Sequence, residues 1–131
     1  MPLSEKSLLR LGATASGTIA LGFGINAFLR PEHALSFFEL DYPTSAVERS
    51  VVDNLIYAYG ARDVFMGVAT YIAGYFGNNK TLGWTILAIA GVAYADGAIC
   101  WANGHGQWNH WSYAPQLTVV AAMLLGVFDR K

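Results

Sequence analysis

The sequence predicts an all-α protein, a bundle of four transmembrane helices with a short interfacial segment between the first and second, forming one domain over residues 1–131. Three observations predict it. Charged residues make up 13% of the chain, about half the ~25% of soluble proteins. Apolar residues make up 54%, with a mean hydropathy of +0.35. The apolar residues also gather into four long runs, approximately 8–29, 48–76, 81–102 and 111–128, each close to the ~20 residues that cross a hydrocarbon core.

The first run, Leu8 to Leu29, is interrupted only by Arg10 near one end and Asn26 near the other. A cleavable signal peptide is the competing reading, since Lys6 and Arg10 make a basic start and Ala13, Ala15 and Gly17 are small. The run of about twenty residues exceeds the ~7–15 of a signal core, which favours a span. Arg30-Pro31 ends this helix, because the proline ring pushes the residue before it out of helical geometry. From Pro31 to Pro43, Phe37, Phe38, Leu40 and Tyr42 alternate with Glu39 and Asp41 as a short amphipathic interfacial stretch. Thr44 or Ser45 then offers an N-cap, with Glu48 at capping-box spacing from Ser45, and the second helix runs on to about Phe76. Asn78-Asn79-Lys80 forms a tight polar turn. The third run, Thr81 to about Trp101, carries Asp96 as its one charge. A polar loop, Asn103 to His110, leads to the fourth run, Trp111 to Phe128.

Lysine and arginine near span ends prefer the cytoplasmic side. With the N-terminus inside, Lys6, Arg10, Lys80, Arg130 and Lys131 are cytoplasmic and only Arg30 and Arg49 lie outside, so both termini are expected in the cytoplasm. An endoplasmic-reticulum-like membrane and a bacterial inner membrane fit that charge pattern equally, and the expected location is the endoplasmic reticulum. Trp101, Trp108, Trp111 and Tyr113 would anchor the outer interface and Trp84 the inner one. A net charge of -1 without a basic patch leaves no source of counterion release, which excludes nucleic acid as a partner. Cys100 is the single cysteine and lacks a zinc-type spacing of neighbours. There is no Gly-rich phosphate loop, nucleophile elbow or haem motif, so neither metal nor cofactor is expected. The expected partners are a lipophilic small-molecule substrate and membrane lipid, with a homo-oligomer also compatible.

Gly60, Gly67 and Gly74 recur every seven residues on one face of the second helix, where small side chains let helices approach closely. Asp63 lies about a quarter turn from that seam and is expected to face protein. Ionisable residues inside spans are costly and mark functional sites by default, which singles out Arg62, Asp63 and Asp96. Depth along the spans sets Asn26, Asn54, Tyr57 and Asp96 in the outer half of the membrane and Arg62 and Asp63 near its middle, with His105 and His110 closing the outer mouth. A pocket opening outward is the simplest common cause. Adjacent residues point about 100° apart, so a network of Arg62, Asp63 and Asp96 is more natural than a direct Arg62–Asp63 contact. Each residue has a plainer role as well: an ion pair fixing helix register for Arg62, Asp63 and Asp96, solvation for Asp53, His105 and His110, helix packing for Tyr57 and Tyr59, and interhelical hydrogen bonding for Asn26.

The segment Tyr59-Gly60-Ala61-Arg62-Asp63-Val64-Phe65-Met66-Gly67, then Ala95-Asp96-Gly97 and His110-Trp111, resembles a widespread group of small four-span membrane proteins known as a domain of unknown function and abundant in filamentous fungi. Some similar proteins occur in fungal polyketide and terpenoid pathways, where they open epoxides, isomerise or cyclise lipophilic intermediates. The resemblance implies active-site roles for Arg62, Asp63, Asp96 and His110.

The expected function is cofactor-independent acid–base chemistry on a lipophilic secondary metabolite: epoxide opening, isomerisation or cyclisation. Asp63 and Asp96 would share the acid and base roles, and Arg62 would hold a carboxylate or a developing oxyanion. Asn26, Asp53, Asn54, Tyr57, His110 and Trp111 would bind or orient substrate. A noncatalytic membrane scaffold or subunit, or a binder of a lipophilic ligand, is the alternative.

Overall fold

A computed structural model describes residues 1–129, and among these it is all-helical, without a strand. Arg130 and Lys131, two of the charges behind the expected orientation, lie outside the described residues. A short 3-10 turn, Leu3–Glu5, precedes α1 (Ser7–Leu29), α2 (Pro31–Ser36), α3 (Ala46–Phe76), α4 (Asn79–Ala102), α5 (Trp108–Trp111) and α6 (Ala114–Leu124). The helix ends follow local chemistry. α1 stops before Pro31, Ser45 Oγ accepts from the Glu48 N–H at the start of α3, and Asn78 Oδ1 accepts from the Thr81 N–H at the start of α4.

Two helices, α1 and α4, are long and apolar enough to cross a membrane. At ~1.5 Å per residue each spans roughly 35 Å, against ~30 Å of hydrocarbon. α3 has 31 residues, or about 46 Å, but carries Glu48, Arg49, Asp53, Arg62 and Asp63. The continuous fourth span expected over 111–128 is not what forms. Pro115 has no N–H to give the Trp111 carbonyl, and within the run a turn at Ser112-Tyr113 precedes an α6 of 11 residues, with α5 lying ahead of it. The stretch expected to be interfacial forms α2 and the turn after it, where Glu39 takes a positive φ of 53°.

The long helices run alternately up and down. α1 packs along α3 and α4 along α6, with α3 and α4 joining the two pairs. The α1–α3 register is set by glycine. Gly17 faces Gly67, Gly24 faces Gly60, and Gly74 faces Thr14, so closely that a methyl group at Gly67 would lie 2.7 Å from the Gly17 carbonyl oxygen. The expected Gly60–Gly67–Gly74 seam is therefore met on α1 by a matching pair of glycines.

The end that holds the N-terminus is closed by apolar and polar contacts together. Ala13, Ala73, Leu82, Ile86, Ala121 and Leu124 form a buried cluster there. Arg10 donates to the Gly74 and Gly77 carbonyls at 2.7 and 2.6 Å and to Asn79 Oδ1 at 2.6 Å, Asn79 Nδ2 donates to the Ser4 carbonyl, and the Ser4 hydroxyl donates to Asp129. One guanidinium thus satisfies carbonyls that the end of α3 leaves unpaired, at the negative end of that helix's dipole. Arg10→Ala is expected to lower stability by about 2 kcal/mol in detergent micelles, as befits charge-assisted bonds, with Arg10→Lys recovering only part of the loss. Thermal unfolding of the two variants checks this.

Candidate active site

Arg62 on α3 meets Asp96 on α4 through two parallel bonds, Nη1 to Oδ1 at 2.9 Å and Nη2 to Oδ2 at 2.8 Å. Its Nε and Nη2 also donate to Asp63 Oδ1, at 3.2 and 3.1 Å. The three-way network forms, and the direct neighbour contact forms with it, because the long arginine chain bends back and its five N–H groups serve two carboxylates at once. The Tyr59 ring lies beneath the guanidinium, 4.5 Å from its carbon. Both carboxylates are buried, while a third of the Arg62 side chain is accessible.

The network borders a cavity of about 600 Å³ between α1, α3, α4 and α6. This lies within the ~300–1,000 Å³ usual for small-molecule sites. Ile19, Met66, Ile89, Val92, Leu117 and Val120 give it apolar walls, and Arg62, Asp63, Asp96, His110, Tyr113 and Gln116 supply polar groups. At the α2 end the cavity is roofed. Phe37 lines it, the Phe38 ring packs on His110 at 4.8 Å, and Asn109 Nδ2 donates to the Phe37 carbonyl at 3.1 Å.

His110 is 3% exposed. Its Nδ1 lies 3.5 Å from the Tyr113 hydroxyl, and its Nε2 is buried with no hydrogen-bond partner among the described residues. Burial pushes its pKa below the ordinary 6.5, an effect the Asp96 and Asp63 carboxylates oppose and Arg62 reinforces. The imidazole is therefore neutral at pH 7, where one ring nitrogen carries a proton and the other a lone pair. A base whose pKa is lowered by folding binds more protons when unfolded, so its contribution to stability is present above pH ~6.5 and is lost as the pH falls below that value. The melting temperature of wild type is expected to drop more between pH 7.5 and pH 5 than that of His110→Gln.

The other predicted residues lie elsewhere. Asp53, Asn54 and Tyr57 line a separate open cleft of about 400 Å³ at the start of α3, together with Thr44, Arg49 and Ser50. Asp53 accepts from the Tyr42 hydroxyl at 2.7 Å, and Tyr57 stacks on Phe28. Asn26 pairs with His33 at 3.1 Å. Trp111 packs on Gly97 and donates to the Tyr94 carbonyl at 3.1 Å, holding α5 against α4 beside the cavity. Depth along a helix says nothing of direction: Asn54 lies nine residues before Asp63, about half a turn away on the opposite face. Conversely, Tyr59, Tyr113 and Gln116 line the cavity although none was singled out as a site residue. Their signal was spacing, since Tyr59 is one turn before Asp63, and Tyr113 and Gln116 follow His110 at successive steps of three.

No curated protein and no solved structure matches the chain. The chain belongs to the family described as Domain of unknown function (DUF4267), whose sequence profile matches residues 17–124.

Proposed function

We propose that this protein is an integral membrane enzyme performing cofactor-independent acid–base chemistry on a lipophilic secondary metabolite, by epoxide opening, isomerisation or cyclisation. The observation that carries the reading is the pair of buried carboxylates, differently held by one arginine, on the wall of an apolar cavity that His110 also lines. Arg62 engages both oxygens of Asp96 but only Oδ1 of Asp63, so the two carboxyl groups present different faces to a bound molecule. In this reading Asp63 and Asp96 divide donation and acceptance of the proton, Arg62 stabilises charge developing on a substrate oxygen, and His110 orients substrate or water.

Residence in a membrane is supported by α1 and α4 and by large apolar side chains that face outward, among them Leu11, Phe65 and Ile72 at 54–69% exposed. Four apolar segments would then lie in lipid, the last of them broken, with both termini cytoplasmic and the endoplasmic reticulum of a filamentous fungus as the setting. The size of the cavity also favours a second reading, a binder that holds a lipophilic ligand without turnover.

The test compares metabolites of a host making wild type or Asp96→Asn at equal abundance in the membrane fraction. A lipophilic precursor is expected to accumulate with the variant alone, turnover falling by about 10²–10⁴-fold, as is usual when a general acid or base is removed. Identical profiles from a folded variant would leave the binder as the better reading.

A further inference from the structure

Contacts close off most sides of the cavity. The α2 end is covered by Phe37, Phe38 and His110, and Gly106 of the connecting loop lies against the Phe38 carbonyl. The opposite end is filled by the Ala13–Ala121–Leu124 cluster. Between α1 and α3 the glycine seam leaves no room for a methyl group. α3 and α4 are tied by Arg62–Asp96, and α4 and α6 by Tyr94–Thr118 at 3.1 Å and by the close fit of Gly83 against Leu124. Of the neighbouring helices around the cavity, α1 and α6 touch least.

The lining residues there are exposed. Ile19 and Phe23 on the α1 lip are 64% and 37% accessible, and Tyr113 on the α6 lip is 38% accessible. Ile19 also sits near the midpoint of α1, a helix long and apolar enough to cross a membrane. An opening at that height faces hydrocarbon. The polar wall lies toward the α2 end, and from Asp63 to Thr70 the cavity continues for about 10 Å along α3 beside Ile89, Leu117 and Val120.

We propose that the cavity is loaded sideways from the hydrocarbon layer, through the gap between α1 and α6. Its occupant is a lipid-soluble amphiphile whose single hydrogen-bonding end turns toward Arg62, Asp96 and His110 while its apolar body lies toward Thr70 and Val120. This rests on the membrane reading above and names the class of molecule that the site takes. It replaces the outward-facing mouth expected from the sequence, which the α2 roof closes.

The experiment uses the full chain in dioleoylphosphatidylcholine vesicles containing hexadecanol that bears a photoreactive diazirine. Flotation with the vesicles reports separately on membrane residence. After irradiation, peptide mass spectrometry is expected to find adducts on the cavity residues Met66 and Val92 as well as on the outward-facing Phe65 and Ile72. Ala20→Trp, which fills the α1 lip, should reduce the cavity adducts severalfold and leave the outward ones unchanged; Ile19→Trp should act in the same direction. Adducts confined to the outward face of wild type would overturn the proposal. So would equal labelling of Met66 by a sulfonated, water-soluble diazirine added outside the vesicles, since the cavity would then be filled from water. Neither result touches the acid–base reading, which is decided by the Asp96→Asn comparison.

Discussion

Replacing Arg62 by leucine is expected to destabilise the protein by about 3 kcal/mol, on the order of 10 °C in melting temperature, and to abolish turnover together with it. The substitution leaves Asp63 and Asp96, 3% and 5% exposed, facing each other across α3 and α4 with no cation between them. Removing one partner of a fully buried pair costs ~3–5 kcal/mol, and the partial accessibility of Arg62 places this case at the lower end. Arg62→Lys should fall between, since an ammonium group cannot reproduce the paired bonds to Asp96. Neutralising all three residues, as Arg62→Leu with Asp63→Asn and Asp96→Asn, should restore most of the stability and none of the activity. That combination separates the structural role of the charges from their chemistry. Thermal unfolding in micelles and the metabolite comparison are the two readouts, and an Arg62→Leu protein as stable as wild type would show that this pair does not join α3 to α4.

A comparable loss is expected at the glycine seam. A methyl group at Gly67 would lie 2.7 Å from the Gly17 carbonyl oxygen and 2.6 Å from a carbon of Leu21. Backbone lies on the far side of that contact, so it cannot be relieved by turning a side chain. Overpacking of this kind costs ~1–3 kcal/mol, and Gly67→Ala should show it despite the better helix propensity of alanine. Gly67→Leu should exceed that range and remove the monodisperse folded species in size-exclusion chromatography. Gly91 provides the contrast, because nothing lies within 4 Å of a methyl group placed there. Gly91→Ala is expected to be neutral or stabilising by up to ~1 kcal/mol. If both alanine variants behaved alike, the seam would have no special part in holding α1 to α3.

The glycine seam could be foreseen because the spacing of Gly60, Gly67 and Gly74 is a property of one helix. Helix ends at Pro31 and Ser45 were legible for a similar reason, since each depends on a few adjacent residues, whereas the turn expected over Asn78-Asn79-Lys80 ends at Asn78 and leaves Asn79 and Lys80 in α4. The broken fourth segment was missed because hydropathy adds up apolar character and passes over the absent N–H of Pro115. At the site, the cost of burying charge was enough to bring Arg62, Asp63 and Asp96 together. Asn54 and Tyr57 were grouped with them by height alone, although they point elsewhere. Gln116 escaped notice because a lone amide in an apolar run carries no charge. Its place on the cavity wall depends on how α6 is turned, and that is fixed by packing against α4.

The connections between the long helices are unequal. α3 passes to α4 through Gly77-Asn78 alone, whereas α1 reaches α3 through residues 30–45 and α4 reaches α6 through residues 103–113. Both long connections emerge at the same end of the bundle, one contributing Phe37 and Phe38 and the other His110. They overlie the chamber and are also pinned to the helices, the first through Ala34 and Leu35 buried with Ala27 and Ile56, the second through Trp111 on Gly97. Side-chain changes at Phe37 and Phe38, which lie apart from those anchors, would recut the upper surface of the chamber with little change to the helical frame beneath. In a scaffold built this way, the range of molecules accepted can drift at a few roof positions whose neighbours keep the fold in place.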